Sequence, residues 1–271
     1  MRIFINIVII FGLINPIFIK GQNNKVDLSP YCPSNNVQYE STCYAYAVVY
    51  TALSTEYNII HHITDQQIIN TNYFSPGVVA SYHNSSLPFY SWSPKCGRKG
   101  TADKSLQILK DNGVTMASAY KCDCKRYSKI EKEIPASTKM YKIIGDSSLT
   151  INNVYSDVAV EWIKNVLQQK HPVIIGLEQN ERLHDLKGIE MDDALPDKET
   201  LDLIAKYKTT GKSNHVICIL GYNNNYKNGK GYFLLKNNFE GWGNGNEFSW
   251  VPYTYILPLI QEAYYIKGLN P

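Results

Sequence analysis

From Cys43 to Leu53 every residue except Thr51 is apolar or aromatic. A helix that is apolar on all sides cannot lie on a surface, so other elements must enclose it. That demand sets a minimum on the fold, and a chain of 271 residues, 44% hydrophobic and 19% charged, can meet it with one or two cores. Ser41 or Thr42 can cap the start of this helix. Cys43 then falls in the first turn, where unpaired N–H groups and the positive end of the helix dipole favour a thiolate. A cysteine among alanines and valines is otherwise an inert core residue, so a nucleophilic reading needs a base.

Of six histidines, His215 has the setting for that base. Ser213-Asn214 make a polar lead into an apolar run of strand character through Gly221, which puts His215 at the strand's mouth. A second strand, Gly231–Lys236, runs into Asn237-Asn238-Phe239-Glu240-Gly241-Trp242-Gly243 and places an amide 22 residues beyond the histidine. Nucleophile, base and an orienter for the base are the side chains that thiol-dependent acyl transfer requires.

Together these stretches resemble the papain-like cysteine peptidases, and more closely their bacterial-type branch. Tyr31-Cys32-Pro33, Gln38 and the helix start at Thr42 follow that branch's order. Cys96-Gly97-Arg98-Lys99-Gly100, ahead of Leu106, Leu109 and Gly113-Val114, matches a later segment, so the resemblance spans residues 31 to 267. It implies an α+β papain-like fold of two lobes, helical over 40–130 and antiparallel β-barrel-like over 135–271, with the active-site cleft between them. It also implies Cys43 as nucleophile, His215 as base and then acid, Asn237 as holder of the imidazole, and Gln38 as donor to the oxyanion. Several positions depart from the family pattern. Gln38 stands five residues before Cys43 where six is usual, and Glu40-Ser41-Thr42 replaces a glycine that allows close backbone approach. Tyr44 and Phe239 each stand for another aromatic residue, Phe239 for the tryptophan that shields the asparagine. The Cys43 to His215 spacing of 172 residues also exceeds the roughly 130–150 usual for such enzymes.

Residues 1–21 have a signal peptide's layout: Met1-Arg2, an apolar run from Ile3 to Ile19, then Lys20-Gly21. Asn6, Asn15 and Pro16 make that run a poor membrane span, which normally needs about 20 uninterrupted apolar residues. The expected mature peptidase domain is 22–271, a monomer without membrane attachment, either secreted or held in a lysosome-like compartment. Only 21 residues separate Gly21 from Cys43, too few for the inhibitory pro-segment common in the family, so activity without one is expected. A net charge of +3, with no basic run longer than Lys125-Arg126, argues against nucleic acid. Peptide or protein substrates are the expected partners, and no cofactor or metal is called for.

The remaining elements read as a helical half followed by a mainly strand half. Thr64-Asp65-Gln66-Gln67 has a capping-box pattern for a short helix to Asn70, and Ser75-Pro76 opens another to Tyr82. Asp103–Asn112 is an amphipathic helix stopped by Gly113, and Asn84-Ser85-Ser86 is a glycosylation sequon. From Thr138 the period changes: Lys139–Ile144 alternates as a strand, Ser156 caps a helix to Gln169, and Pro172–Leu177 reads as a buried strand. Glu247–Val251 and Ala263–Ile266 complete the strand-rich half.

Six cysteines set the redox expectations. Cys43 must stay reduced, and Cys218 reads as a buried free thiol. Cys32, Cys96, Cys122 and Cys124 allow three pairings in an oxidising compartment, with Cys96 to Cys122 or Cys124 favoured. Cys122-Asp123-Cys124 lacks zinc spacing, His61-His62 reads as a surface pair, and the turn-rich Gly241–Asn246 loop has no helix after it to cradle phosphate. The long segment 178–213 carries Glu190, Asp192, Asp193, Asp197, Glu199 and Asp202, with a helix expected over Lys198–Lys208. It either packs on the strand-rich half or overhangs one end of the cleft and favours basic substrates. Two alternatives stand beside the peptidase reading: a catalytically silent papain-fold binding protein, and an acyltransferase using the same triad.

Overall fold

The computed structural model describes residues 23–270 apart from 35, 86–99, 121–133, 153, 193–195, 197, 199–200, 203–212, 244 and 246. The apolar stretch is the buried central helix. It starts with an α-helical turn at Cys43–Ala45, widens to π-type hydrogen bonding over Tyr46–Leu53, and returns to α over Ser54–Ile60. π segments are usually single-turn bulges that collect at functional sites, so eight residues is long. Side-chain donors reach the carbonyls inside it: Cys218 Sγ donates to Ala47 O at 3.1 Å, Ser54 Oγ to Val49 O at 3.1 Å and Thr55 Oγ1 to Thr51 O at 2.6 Å.

Of three short helices, Gln66–Thr71 buries Ile69 beside Ser29–Tyr31, while Pro76–Ser85 and Ala102–Asp111 pack on the central helix, burying Val78, Val79, Leu106 and Leu109. Asp65, not Thr64, caps the first of them, its Oδ1 accepting from Gln67 N at 2.8 Å and Ile68 N at 3.3 Å. Gly113, at φ 78°, ends the third as its sequence position indicates. Gly100 lies flat against the Tyr44 ring, where any Cβ would overlap it. Asn84 and Ser85 close the second helix, while Ser86 of the sequon lies outside the described residues.

The strand-rich lobe is one antiparallel sheet of β3 (Asp146–Thr150), β8 (Ile260–Ile266), β4 (Val173–Leu177), β5 (His215–Asn225), β6 (Lys230–Lys236) and β7 (Phe248–Pro252), in that spatial order. β1 (Lys25–Asp27) pairs with the far end of β5. The helix Asp157–Gln168 lies on this sheet, with Trp162 edge-on to Tyr265 at 5.8 Å. The expected strand Lys139–Ile144 is corrected. Only β2 (Lys142–Ile143) pairs, with β9 (Leu269–Asn270), and Tyr141 makes a single bridge to Val114. β1 and β3 escape sequence reading for a physical reason: both are mostly polar, partly exposed strands that need only a backbone partner. Helices then sheet, with the buried helix between, form the α+β two-lobe fold expected. Among the described residues no helix is long and apolar enough to cross a membrane.

Candidate active site

The start of the central helix meets the mouth of β5. His215 opens that strand and is 4% exposed, paired across to Leu177 of β4. The backbone N–H groups of Val216, the residue after His215, of Tyr44 and of Cys43 itself stand near the Cys43 sulfur and favour its charged form. β6 ends at Lys236 and delivers Asn237, 1% exposed, beside the imidazole. His215 Nε2 donates to Asn237 Oδ1 at 3.0 Å, and Asn238 N donates to the same oxygen at 2.8 Å. An oxygen receiving a backbone N–H must be the acceptor, which places the imidazole proton on Nε2 and a lone pair on Nδ1. Phe239 stacks on His215 at 4.7 Å and 30° and covers this bond from solvent.

Asn238, 3% exposed, holds this end of the site together and was not singled out from sequence. Its Oδ1 accepts from Thr51 Oγ1 at 3.2 Å, its Nδ2 donates to Asn36 O at 3.3 Å, and its carbonyl accepts Gln38 N at 2.8 Å. The signal for it was present in Thr51, the one polar residue of an apolar helix, which needs a buried partner. Thr51→Val should leave the Asn238 side-chain oxygen Oδ1 unsatisfied and cost about 1–3 kcal/mol. Urea unfolding measures this, and an unchanged midpoint would remove the bond from the account.

Burial decides the protonation of the site. It pushes the Cys43 thiol up despite the three N–H groups aimed at it, although the residue keeps some exposed surface. Burial likewise pushes His215 down to about 4, with the Asn237 bond opposing. The resting site is therefore neutral thiol and neutral imidazole, which corrects the thiolate expected at the helix start. Desolvation of a charge exceeds the favourable effect of the helix end. A stability consequence follows from the histidine. Between its ordinary value of 6.5 and about 4, the unfolded chain binds a proton that the native chain refuses. Stability is thus full above that ordinary value and falls by roughly 3 kcal/mol as pH drops to the folded value. Urea unfolding at pH 7 and 4 should show this loss, and His215→Asn should reduce it; equal slopes in both proteins would contradict it.

The other expected residues are placed as follows. Gln38 lies in the loop before the central helix, its Nε2 donating to Glu40 O at 2.9 Å, and Glu40, in the Glu40-Ser41-Thr42 stretch that lacks a glycine, adopts φ 45°. Cys32 is a free thiol, 1% exposed, donating to Pro33 O at 3.3 Å, and burial pushes it up to about 11. It therefore leaves the four-cysteine scheme, while Cys96, Cys122 and Cys124 lie outside the described residues. Cys218 is free and buried as expected.

The first part of segment 178–213 is built into the strand-rich lobe. Asn180 caps the helix Glu181–His184, Leu183 O accepts from Trp242 Nε1 at 2.7 Å, and Leu186 O accepts from Gly243 N at 2.7 Å. Ile189 and Met191 bond to the backbone of Trp250 on β7. Two of its acidic residues are already paired, Glu190 with Lys227 at 2.8 Å and Asp192 with Arg182. Lys198, Leu201 and Asp202 are helical, while Asp193, Asp197, Glu199 and 203–212 lie outside the described residues. A cavity of about 600 Å³ between Asp27, Cys32, Asn70, Tyr226 and Trp250 includes none of Cys43, His215 or Asn237 in its lining, so the chemistry is located by its side chains and not by volume.

The chain has the papain-like peptidase fold. Three solved structures of low sequence identity share it. The proform of the Amb a 11 cysteine protease of ragweed pollen is 15% identical with TM-score 0.63, over 92% of this chain and 66% of that one. Bromelain from Ananas comosus, in complex with the E64 inhibitor, is 18% identical with TM-score 0.59, over 90% of this chain and 98% of that one. Xylellain, a cysteine protease from Xylella fastidiosa, is 16% identical with TM-score 0.60, over 92% and 87%. No family model and no curated protein sequence matches the chain.

Proposed function

We propose that this protein is a secreted cysteine endopeptidase acting through Cys43, His215 and Asn237. The reading is supported by the His215–Asn237 bond, with the proton on Nε2 and a lone pair on Nδ1, together with the Cys43 thiol beside the N–H of the next residue along, Val216. As Cys43 sulfur attacks a peptide carbonyl carbon, His215 Nδ1 takes the thiol proton. The carbonyl oxygen gathers negative charge, met by the Cys43 backbone N–H and the Gln38 amide. The C–N bond then breaks as His215 gives its proton to the leaving amine; a water deprotonated by His215 next attacks the thioester, the C–S bond breaks, the acid product leaves and His215 returns the proton to the Cys43 sulfur. Asn237 fixes the ring's tautomer throughout, and Phe239 keeps water off that bond.

Gln38 has a second N–H beyond the one given to Glu40 O, and the oxyanion role falls to it. Gln38→Ala should lower kcat by about 10²–10³ with little change in KM. A loss below threefold would take Gln38 out of the site. The whole reading is tested by treating the purified protein with a thiol-directed epoxide and locating the adduct. Labelling at Cys43 that disappears in His215→Ala supports the peptidase, whereas no labelling between pH 5 and 8 supports the silent binding protein.

A further inference from the structure

Phe239 has an imidazole on each side. It stacks on His215 at 4.7 Å, and His184 meets it at 5.0 Å with an interplanar angle of 52°. His184 ends the short helix of the long segment, and that helix is clamped beside the ring by the bonds from Trp242 and Gly243 and by the Asn180 cap. Its side chain is 57% exposed, and Nδ1 donates to Asp185 Oδ1 at 2.7 Å. That bond holds the ring and leaves Nε2 to exchange a proton with solvent. On the far side of Phe239, His215 is closed off from water.

We propose that His184 is a positioning residue for the site: through Phe239 it fixes the face of His215, and in its protonated form it keeps His215 uncharged, so the base stays available in acidic surroundings. The proposal rests on the Cys43 and His215 reading given above. A charge on one side of an aromatic ring opposes a like charge on the other, because no water fills the gap to screen it and the separation is within about one Debye length. Charge on His184 adds to burial in holding His215 low. The other charged or titratable groups nearby act from less direct positions. Cys43, on the central helix, lies beside the N–H of Val216, the residue after His215. Asp185 bonds His184 directly, Arg182 is turned to Asp192 and the Tyr255 ring, and Glu178, Lys187 and Glu240 flank the helix and the loop.

Two variants separate shape from charge: His184→Phe keeps a ring on Phe239 without a charge, and His184→Lys keeps a charge without a ring. The ring resonances of His215 are followed by NMR between pH 3 and 7, and kcat/KM on a peptide substrate between pH 4 and 8. His215 should titrate about half a pH unit higher in His184→Phe, and at or below the wild-type position in His184→Lys. In His184→Phe the ratio of kcat/KM at pH 4.5 to that at pH 7 should fall about 1.5-fold. Identical His215 titrations in wild type and His184→Phe overturn the proposal, as does a His184→Lys protein that shifts with His184→Phe. Should His184→Phe not fold, His184→Gln is read in the same way. If the wild-type protein shows no Cys43-dependent hydrolysis, the peptidase reading fails, and the His215 titration still decides the coupling.

Discussion

Cys43→Ala should reduce peptide hydrolysis by about 10⁴–10⁶-fold while leaving the protein folded. In the proposed mechanism the sulfur is the atom that becomes bonded to the substrate carbon, and alanine offers nothing in its place. Among the described residues His215 bonds Asn237 and stacks on the Phe239 ring, and neither offers a hydroxyl or thiol in place of Cys43. His215→Ala should fall to a similar level, and the double variant should be no worse than either single one, because both residues serve the same step. Folding should tolerate the change, since Cys43 is partly exposed and alanine suits a first helical turn. Hydrolysis rates with matched unfolding curves test this; a folded Cys43→Ala protein retaining a tenth of the activity would end the assignment.

Lys236→Met should cost about 3–5 kcal/mol of stability, more than any surface ion pair in the chain. Lys236 is 0% exposed, and the Glu247 side chain that pairs with it is 3% exposed. The ammonium also donates to Asn237 O at 3.2 Å and stands over the rings of Tyr50 at 5.9 Å and Phe248 at 5.2 Å. Its removal would leave a buried carboxylate that desolvation already pushes upward and that Lys236 pulls down through its charge and its hydrogen bond. Glu247 would then have to take up a proton in order to stay folded. A carboxyl raised in the folded state gains stability as pH falls, so the deficit of Lys236→Met should shrink from pH 7 to 5. Activity should fall with it, because Glu247 O accepts Asn237 N at 3.0 Å and holds the residue that orients the imidazole. Urea unfolding at both pH values measures the effect, and a loss under about 1 kcal/mol would show the pair to be dispensable.

Each part of the fold that could be read in advance has its cause within a few residues of itself. The run from Tyr44 to Leu53 is buried because its side chains leave no polar face, and His215 and Asn237 fall at strand ends because the apolar runs beside them stop there. The helix Ala102–Asp111 ends before Gly113 for an equally local reason. β3 was invisible because Asp146–Thr150 is a strand only by virtue of the β8 backbone it pairs with. Asn238 and Thr51 are 187 residues apart, and no spacing rule joins them.

By itself, then, the sequence determined which segments must be hidden and which three chemical groups stand at the ends of those segments. Only the tertiary structure decided their charge and their company. The helix dipole at Cys43 is local, but the desolvation that overrides it is a sum over every atom packed around the site. Cys32 is likewise a free thiol because packing encloses it beside Thr55 and Lys236. His184 reaches the back of Phe239 because an inserted segment is hydrogen-bonded to the loop around Trp242, a contact that no pattern along the chain contains.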